Sequence, residues 1–195
     1  MTKTPHPLPR RHRSSQHAQW PGPGRHVAAL ALALAAGAVG AAPHAHDHGT
    51  AQMEIALDGP VLTLSLRLPM DGLVGFERAP RTDAERKAWG EALGRLRQAD
   101  GLFKPYAAAQ CRLEQAQVDD PTAVAPAGRG GSDKHADVDA EIRFRCAQPG
   151  QLRALDVGLL EAYPRIKRVE AVIVTAQGQR KLTLRRPARG IKLQR

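Results

Sequence analysis

Residues 51–57 and 61–68 alternate apolar and polar side chains on either side of Asp58-Gly59-Pro60. Met53, Ile55 and Leu57 share one face of the first run, with Gln52 and Glu54 on the other. Leu62, Leu64, Leu66 and Leu68 repeat the arrangement in the second run. A period of two is that of a half-buried strand, and Asp-Gly between two such runs favours a tight turn. These residues therefore specify an antiparallel hairpin, and the remaining elements are read outward from it.

Pro69 ends the second strand, and Asp71 to Phe76 read as a short turn or a single helical turn. Thr82 followed three residues later by Glu85 forms a capping-box pattern. It predicts a helix running to about Asp100, with Trp89, Leu93 and Leu96 on its inner face and Trp89 as a core anchor. Residues 111–118 and 135–146 alternate as a third and a fourth strand, separated by a loop at 119–134 rich in Gly, Pro and small residues. Residues 149–162 suggest one or two short helices, broken by Tyr163-Pro164. Residues 168–175 and 179–184 form a last hairpin about Gln177-Gly178, and the basic residues beyond it read as a solvated tail. The expected fold class is α+β: an antiparallel β-sheet with helices packed on one face.

The amino-terminal segment reads differently. Residues 1–26 carry Lys3, Arg10, Arg11, Arg13 and Arg25 and no acid, and residues 27–39 are an uninterrupted apolar run of 13. Val39-Gly40-Ala41-Ala42 follow, which completes the three parts of a cleaved secretory signal. The apolar run is short of the roughly 20 residues that a membrane span needs. Arg10-Arg11 lacks the pattern of a twin-arginine signal, which points to the general export route. The expected organisation is a signal peptide at 1–42, a His-rich segment at 43–50, an α+β domain at 51–185 and a basic tail at 186–195. No stable membrane span is expected after cleavage. All 19 acidic residues lie beyond residue 42, whereas 5 of the 29 basic ones lie before it, so the formal charge of the exported part falls from +10 to +5. That mild charge, with few aromatic residues, gives no support to nucleic-acid binding.

Export places Cys111 and Cys146 in an oxidising compartment, where a pair of cysteines reads as one disulfide. Their midpoint falls inside the 119–134 loop, as a bond across a long antiparallel hairpin requires. Such a bond would contribute about 2–4 kcal/mol. Zinc thiolates are the rival reading, but no CxxC spacing is present.

Four of the eight histidines belong to the leader; His44, His46, His48 and His135 remain. Three of them crowd into His44-Ala45-His46-Asp47-His48, just before the first strand. Imidazole is the commonest side-chain metal ligand, and nitrogen donors with a nearby carboxylate suit Zn²⁺. His46 and His48 point the same way in an extended chain. His135 opens the fourth strand, so strand ends meeting on one rim would bring imidazoles together from two distant segments. Asp47, Glu77 and Asp137 are candidate further ligands or supporting partners. Cu²⁺ and Ni²⁺ also accept such donors. The amino-terminal copper mode is blocked, however, because Pro43 has no N–H to give up. A zinc hydrolase would need a positioned base and an open coordination position, and neither HExxH nor GxSxG is present. The expectation is a binding protein, not an enzyme.

His46-Asp-His-Gly49, Leu57-Asp-Gly59, Val74-Gly-Phe-Glu77, Ala79-Pro-Arg-Thr82, His135-Ala-Asp137 and Asp156-Val-Gly-Leu-Leu160, together with the two cysteines, resemble the ZrgA-type family of zinc-binding periplasmic proteins. The blocks occur in the same order and cover nearly all of the chain beyond the leader. The resemblance implies a bacterial periplasmic protein, induced by zinc scarcity, that binds Zn²⁺ and assists its uptake. It would act as a buffer or chaperone passing the ion to a zinc importer or its binding protein. It also implies that the histidines before the first strand and the one opening the fourth are metal ligands. The chain departs from the family pattern twice. Residues 119–134 contain no histidine, and Arg78 stands where many relatives have one. A cation at 78 directed at the site would repel a metal. The alternative function is a metal-independent periplasmic scaffold or interaction domain.

Overall fold

The computed structural model describes residues 48–123 and 136–194. The hairpin forms as its alternation dictates. β1 (Thr50–Asp58) pairs antiparallel with β2 (Val61–Pro69) from Asp58↔Val61 to Gln52↔Arg67, around the Gly59-Pro60 turn. Beyond β2 come a one-turn helix, α1 (Met70–Val74), then α2 (Asp83–Arg97) and α3 (Ala99–Leu102). The chain continues through β3 (Phe103–Pro105), β4 (Cys111–Val118), β5 (Asp137–Cys146), β6 (Ala154–Val157), α4 (Leu159–Ala162), β7 (Arg168–Thr175), β8 (Gly178–Arg185) and β9 (Gly190–Lys192).

Six strands form one sheet in the order β4-β5-β2-β1-β7-β8, and three more form a small sheet in the order β3-β6-β9. The chain is thus mostly β, and the large sheet is mixed. β1 and β7 run parallel, with Ile55 opposite Ile173, where the sequence suggested an antiparallel sheet throughout. A parallel neighbour is set by a long connection and leaves no mark on local periodicity.

One face of the large sheet is apolar. Met53, Ile55, Leu64, Leu66, Ile142, Phe144, Val169 and Ile173 are at most 3% exposed. The opposite face carries Gln52, Glu54, Arg67, Asp139 and Glu170. The apolar face shares one core cluster with Trp89, Leu93 and Leu96 of α2 and with Phe103, Leu155, Val157 and Ile191 of the small sheet. Each such side chain contributes roughly 1.5–3 kcal/mol when fully removed from water. Tyr163, just after α4, is buried and donates its hydroxyl proton to the Ala92 carbonyl at 2.9 Å, which ties α4 to α2.

The capping box of α2 forms as read. The Glu85 N–H donates to Thr82 Oγ1 at 3.1 Å and the Thr82 N–H returns to Glu85 Oε2 at 3.3 Å. Cys111 and Cys146 are in-register partners joined by a disulfide. Two expectations are corrected. Residues 149–162 hold a strand, β6, between a 3-10 turn and α4. Leu155 and Val157 face the core while Ala154 and Asp156 do not, so the run obeys period two within only four residues. The tail is not simply solvated: β9 pairs with β6 and buries Ile191 and Leu193.

Candidate metal centre

The end of the sheet where β1 starts and β2 finishes gathers three polar side chains. His48 stands two residues before β1, Asp71 lies in the first turn of α1, and Glu77 follows α1 by three residues. The hairpin itself sets this geometry. His48 and Asp71 are equidistant from the Asp58↔Val61 turn pair, so continuing the register past Gln52↔Arg67 brings them opposite each other. A backbone hydrogen bond extends the rim. The Met70 N–H donates to the Ala136 carbonyl at 2.9 Å, which continues the β2–β5 ladder beyond Pro69↔Asp137.

His48 Nδ1 lies 3.1 Å from Asp71 Oδ2 and 3.1 Å from Glu77 Oε1. One ligand atom from each of the three falls within 4.8 Å of the others. The imidazole has a single Nδ1 position and can direct at most one proton from it, so it cannot satisfy both carboxylates with straight hydrogen bonds. Two carboxylates drawn to one point also repel each other. A divalent cation at their focus answers both problems. Zinc bound at about 2.0–2.2 Å to nitrogen and oxygen in a tetrahedron places donor atoms about 3.3 Å apart, close to the separations found. The other carboxylate oxygen, Asp71 Oδ1, is buried with no hydrogen-bond partner among the described residues. A buried acceptor left without a donor is costly, and a cation would relieve it. The donor set therefore fits Zn²⁺. The His48 side chain is 62% exposed and those of Asp71 and Glu77 are 25% exposed. An ion held there would face solvent on one side.

Two glycines make the arrangement possible. Gly49, beside His48, has φ 77°, and a Cβ there would lie 3.0 Å from the Arg165 carbonyl oxygen. Its own carbonyl accepts from the Lys167 N–H at 2.7 Å, which fixes the entry to β1 against the entry to β7. Gly75 ends α1 with φ 90° and donates its N–H to the Asp71 carbonyl at 2.8 Å. That left-handed turn sends the chain back so that Glu77 reaches His48.

Arg78 is turned to another task. Its guanidinium makes a two-pronged ion pair with Glu85, at 2.7 and 2.9 Å, and lies 5.3 Å from the Phe76 ring centroid. Glu85 also accepts from the Arg81 N–H at 2.6 Å. The Arg78 pair first, and then this backbone donor, pull the Glu85 carboxyl down to about 2. The charge of Arg78 is neutralised by Glu85 of α2.

Of the residues singled out in the sequence, His48 and Glu77 are brought together. Asp137 opens β5 opposite Pro69, near the rim but outside the three-residue cluster. His44, His46, Asp47 and His135 lie outside the described residues. Asp71 was missed, although extending the hairpin register from the Asp58-Gly59-Pro60 turn would have found it.

The sequence model of the ZrgA family zinc uptake protein matches residues 45–193, which includes all three residues of the cluster. No curated protein sequence matches the chain at a level that would mark a relative. A match over three quarters of the length, from just before His46 to the end of the small sheet, settles the family: this chain belongs to the ZrgA family of zinc uptake proteins.

Proposed function

We propose that the protein is a periplasmic Zn²⁺ carrier, a buffer or chaperone that holds the ion reversibly and passes it on during uptake. The zinc is cargo, and the protein acts by binding rather than by catalysis. The observation that carries this reading is the meeting of one imidazole nitrogen and two carboxylate oxygens at 3.1 Å in a member of a zinc uptake family. His48, Asp71 and Glu77 supply three donors. The fourth would come from His46, or from His135, the residue before Ala136, whose carbonyl is bonded to the residue preceding Asp71. His44, Asp47 and Asp137 would serve as supporting or alternative donors. Imidazole binds only when unprotonated, so capture should weaken as pH falls below about 6.5.

Isothermal titration calorimetry with Zn²⁺ tests the reading. Asp71→Asn and His48→Ala should each weaken binding at least tenfold, since losing even a supporting partner of a ligand costs about that much, with the circular dichroism spectrum unchanged. Wild-type affinity in both variants would remove these residues from the site. Absence of any zinc binding by the wild-type protein would favour the metal-independent scaffold.

A further inference from the structure

The site rests on one short segment. Ile166 is fully buried beneath α1, where a Cβ on Gly72 would lie 3.1 Å from its side chain. On either side of it, Arg165 and Lys167 are exposed at the surface. A Cβ on Gly75 would meet the Arg165 guanidinium at 2.8–3.0 Å, and one on Gly49 would meet the Lys167 side chain at 3.3 Å. The two glycines that border the ligands therefore open onto the Arg165 guanidinium and the aliphatic stem of Lys167. The segment is held in place from behind. The Arg186 guanidinium donates to the carbonyls of Leu160, Pro164 and Ile166 at 2.5–3.1 Å.

Neighbouring cations in the chain are committed: Arg78, next to Glu77, pairs with Glu85, and Arg168, next to Lys167, pairs with Glu170. Arg165 and Lys167 form no ion pair among the described residues. The Arg165 guanidinium lies against the turn two residues before Glu77, and the Lys167 stem lies against the residue after His48. The ligand set they flank carries two carboxylates when empty and is neutralised when a divalent ion enters.

Resting on the carrier reading above, we propose that Arg165 and Lys167 keep the bound ion exchangeable. They stabilise the empty, doubly negative site and lose that attraction on loading, so the charge balance is tilted toward release. A structural scaffold around a permanent zinc would gain nothing from two uncommitted cations flanking its ligand turns; a carrier that must give up its cargo does. Both are exposed, so the effect passes through solvent and is screened by salt.

The test is zinc affinity of the full protein, by competition with a chromophoric chelator at low salt and at roughly 0.5 M salt. Arg165→Met/Lys167→Met should bind zinc about tenfold more tightly than wild type at low salt, with the gap closing at high salt. Arg165→Lys, which keeps the charge and changes the packing against Gly75, should stay close to wild type. If loss of the guanidinium prevents folding, Lys167→Met alone should still tighten binding by about threefold, with the same closure in salt. Unchanged or weaker low-salt affinity in the folded variants would overturn the proposal. A His48→Ala protein that binds zinc as wild type does would instead remove the site beneath it, which separates the two failures.

Discussion

A methyl group on residue 75 would sit where the Arg165 guanidinium already lies, and the backbone there has φ 90°. Both effects act on the turn that returns Glu77 to His48. Gly75→Ala should therefore lower stability by about 1–2 kcal/mol, the cost of a left-handed non-glycine residue, and should weaken zinc binding along with it. Urea unfolding and a zinc titration on the same protein check both. Gly49→Ala should behave alike, since its new Cβ would face a backbone oxygen at 3.0 Å that has little freedom to move. At this scale the sequence disclosed residue types but not their company. His48 and Glu77 were candidates from chemistry alone. Asp71 looked like an ordinary turn residue, because its role comes from its position opposite His48 rather than from its neighbours. Arg78 looked like a threat to a metal, and only the partner presented by α2 removes it.

The start of α2 shows how one side chain joins two jobs. Glu85 completes the capping box and holds Arg78, and its carboxyl is drawn down to about 2, chiefly by Arg78. A carboxyl depressed in the folded state stabilises above its unfolded value, near 4.3, and that contribution is lost as pH falls toward 2. Wild type should lose stability through this window, while Glu85→Gln starts lower at neutral pH and shows a flatter decline. Acid titration of thermal midpoints reads the difference. The disulfide acts at the same level, holding the edge strand β4 to β5 at the Cys111↔Cys146 pair. Replacing both cysteines by serine should cost about 2–4 kcal/mol in denaturant unfolding. Strands and helices of seven residues or more were legible from period and caps. β4 even carries its bulge in its sequence: the half-buried residues are Cys111 and Leu113, then Ala116 and Val118, and the register shifts between Leu113 and Gln115. β3, β6 and β9 were not legible, because three or four residues give too few alternations to tell a strand from a helical turn.

For the whole molecule, topology decides what the site can be. The hairpin, the β2–β5 ladder and the parallel β1–β7 pair all begin or end at one rim. There the acids of α1 and the following loop converge on His48. Periodicity could assign most strands but not their order, since the β1–β7 neighbour is separated from β1 by most of the chain. On this topology the rim would hold one zinc ion through His48, Asp71 and Glu77. Native mass spectrometry after chelator treatment and titration with Zn²⁺ tests it most directly, on wild type and on the His48→Ala/Asp71→Asn double variant. Wild type retaining one zinc per chain, and the double variant retaining none at equal concentration, is the predicted result. Equal retention by the two proteins would place the zinc elsewhere than at His48 and Asp71.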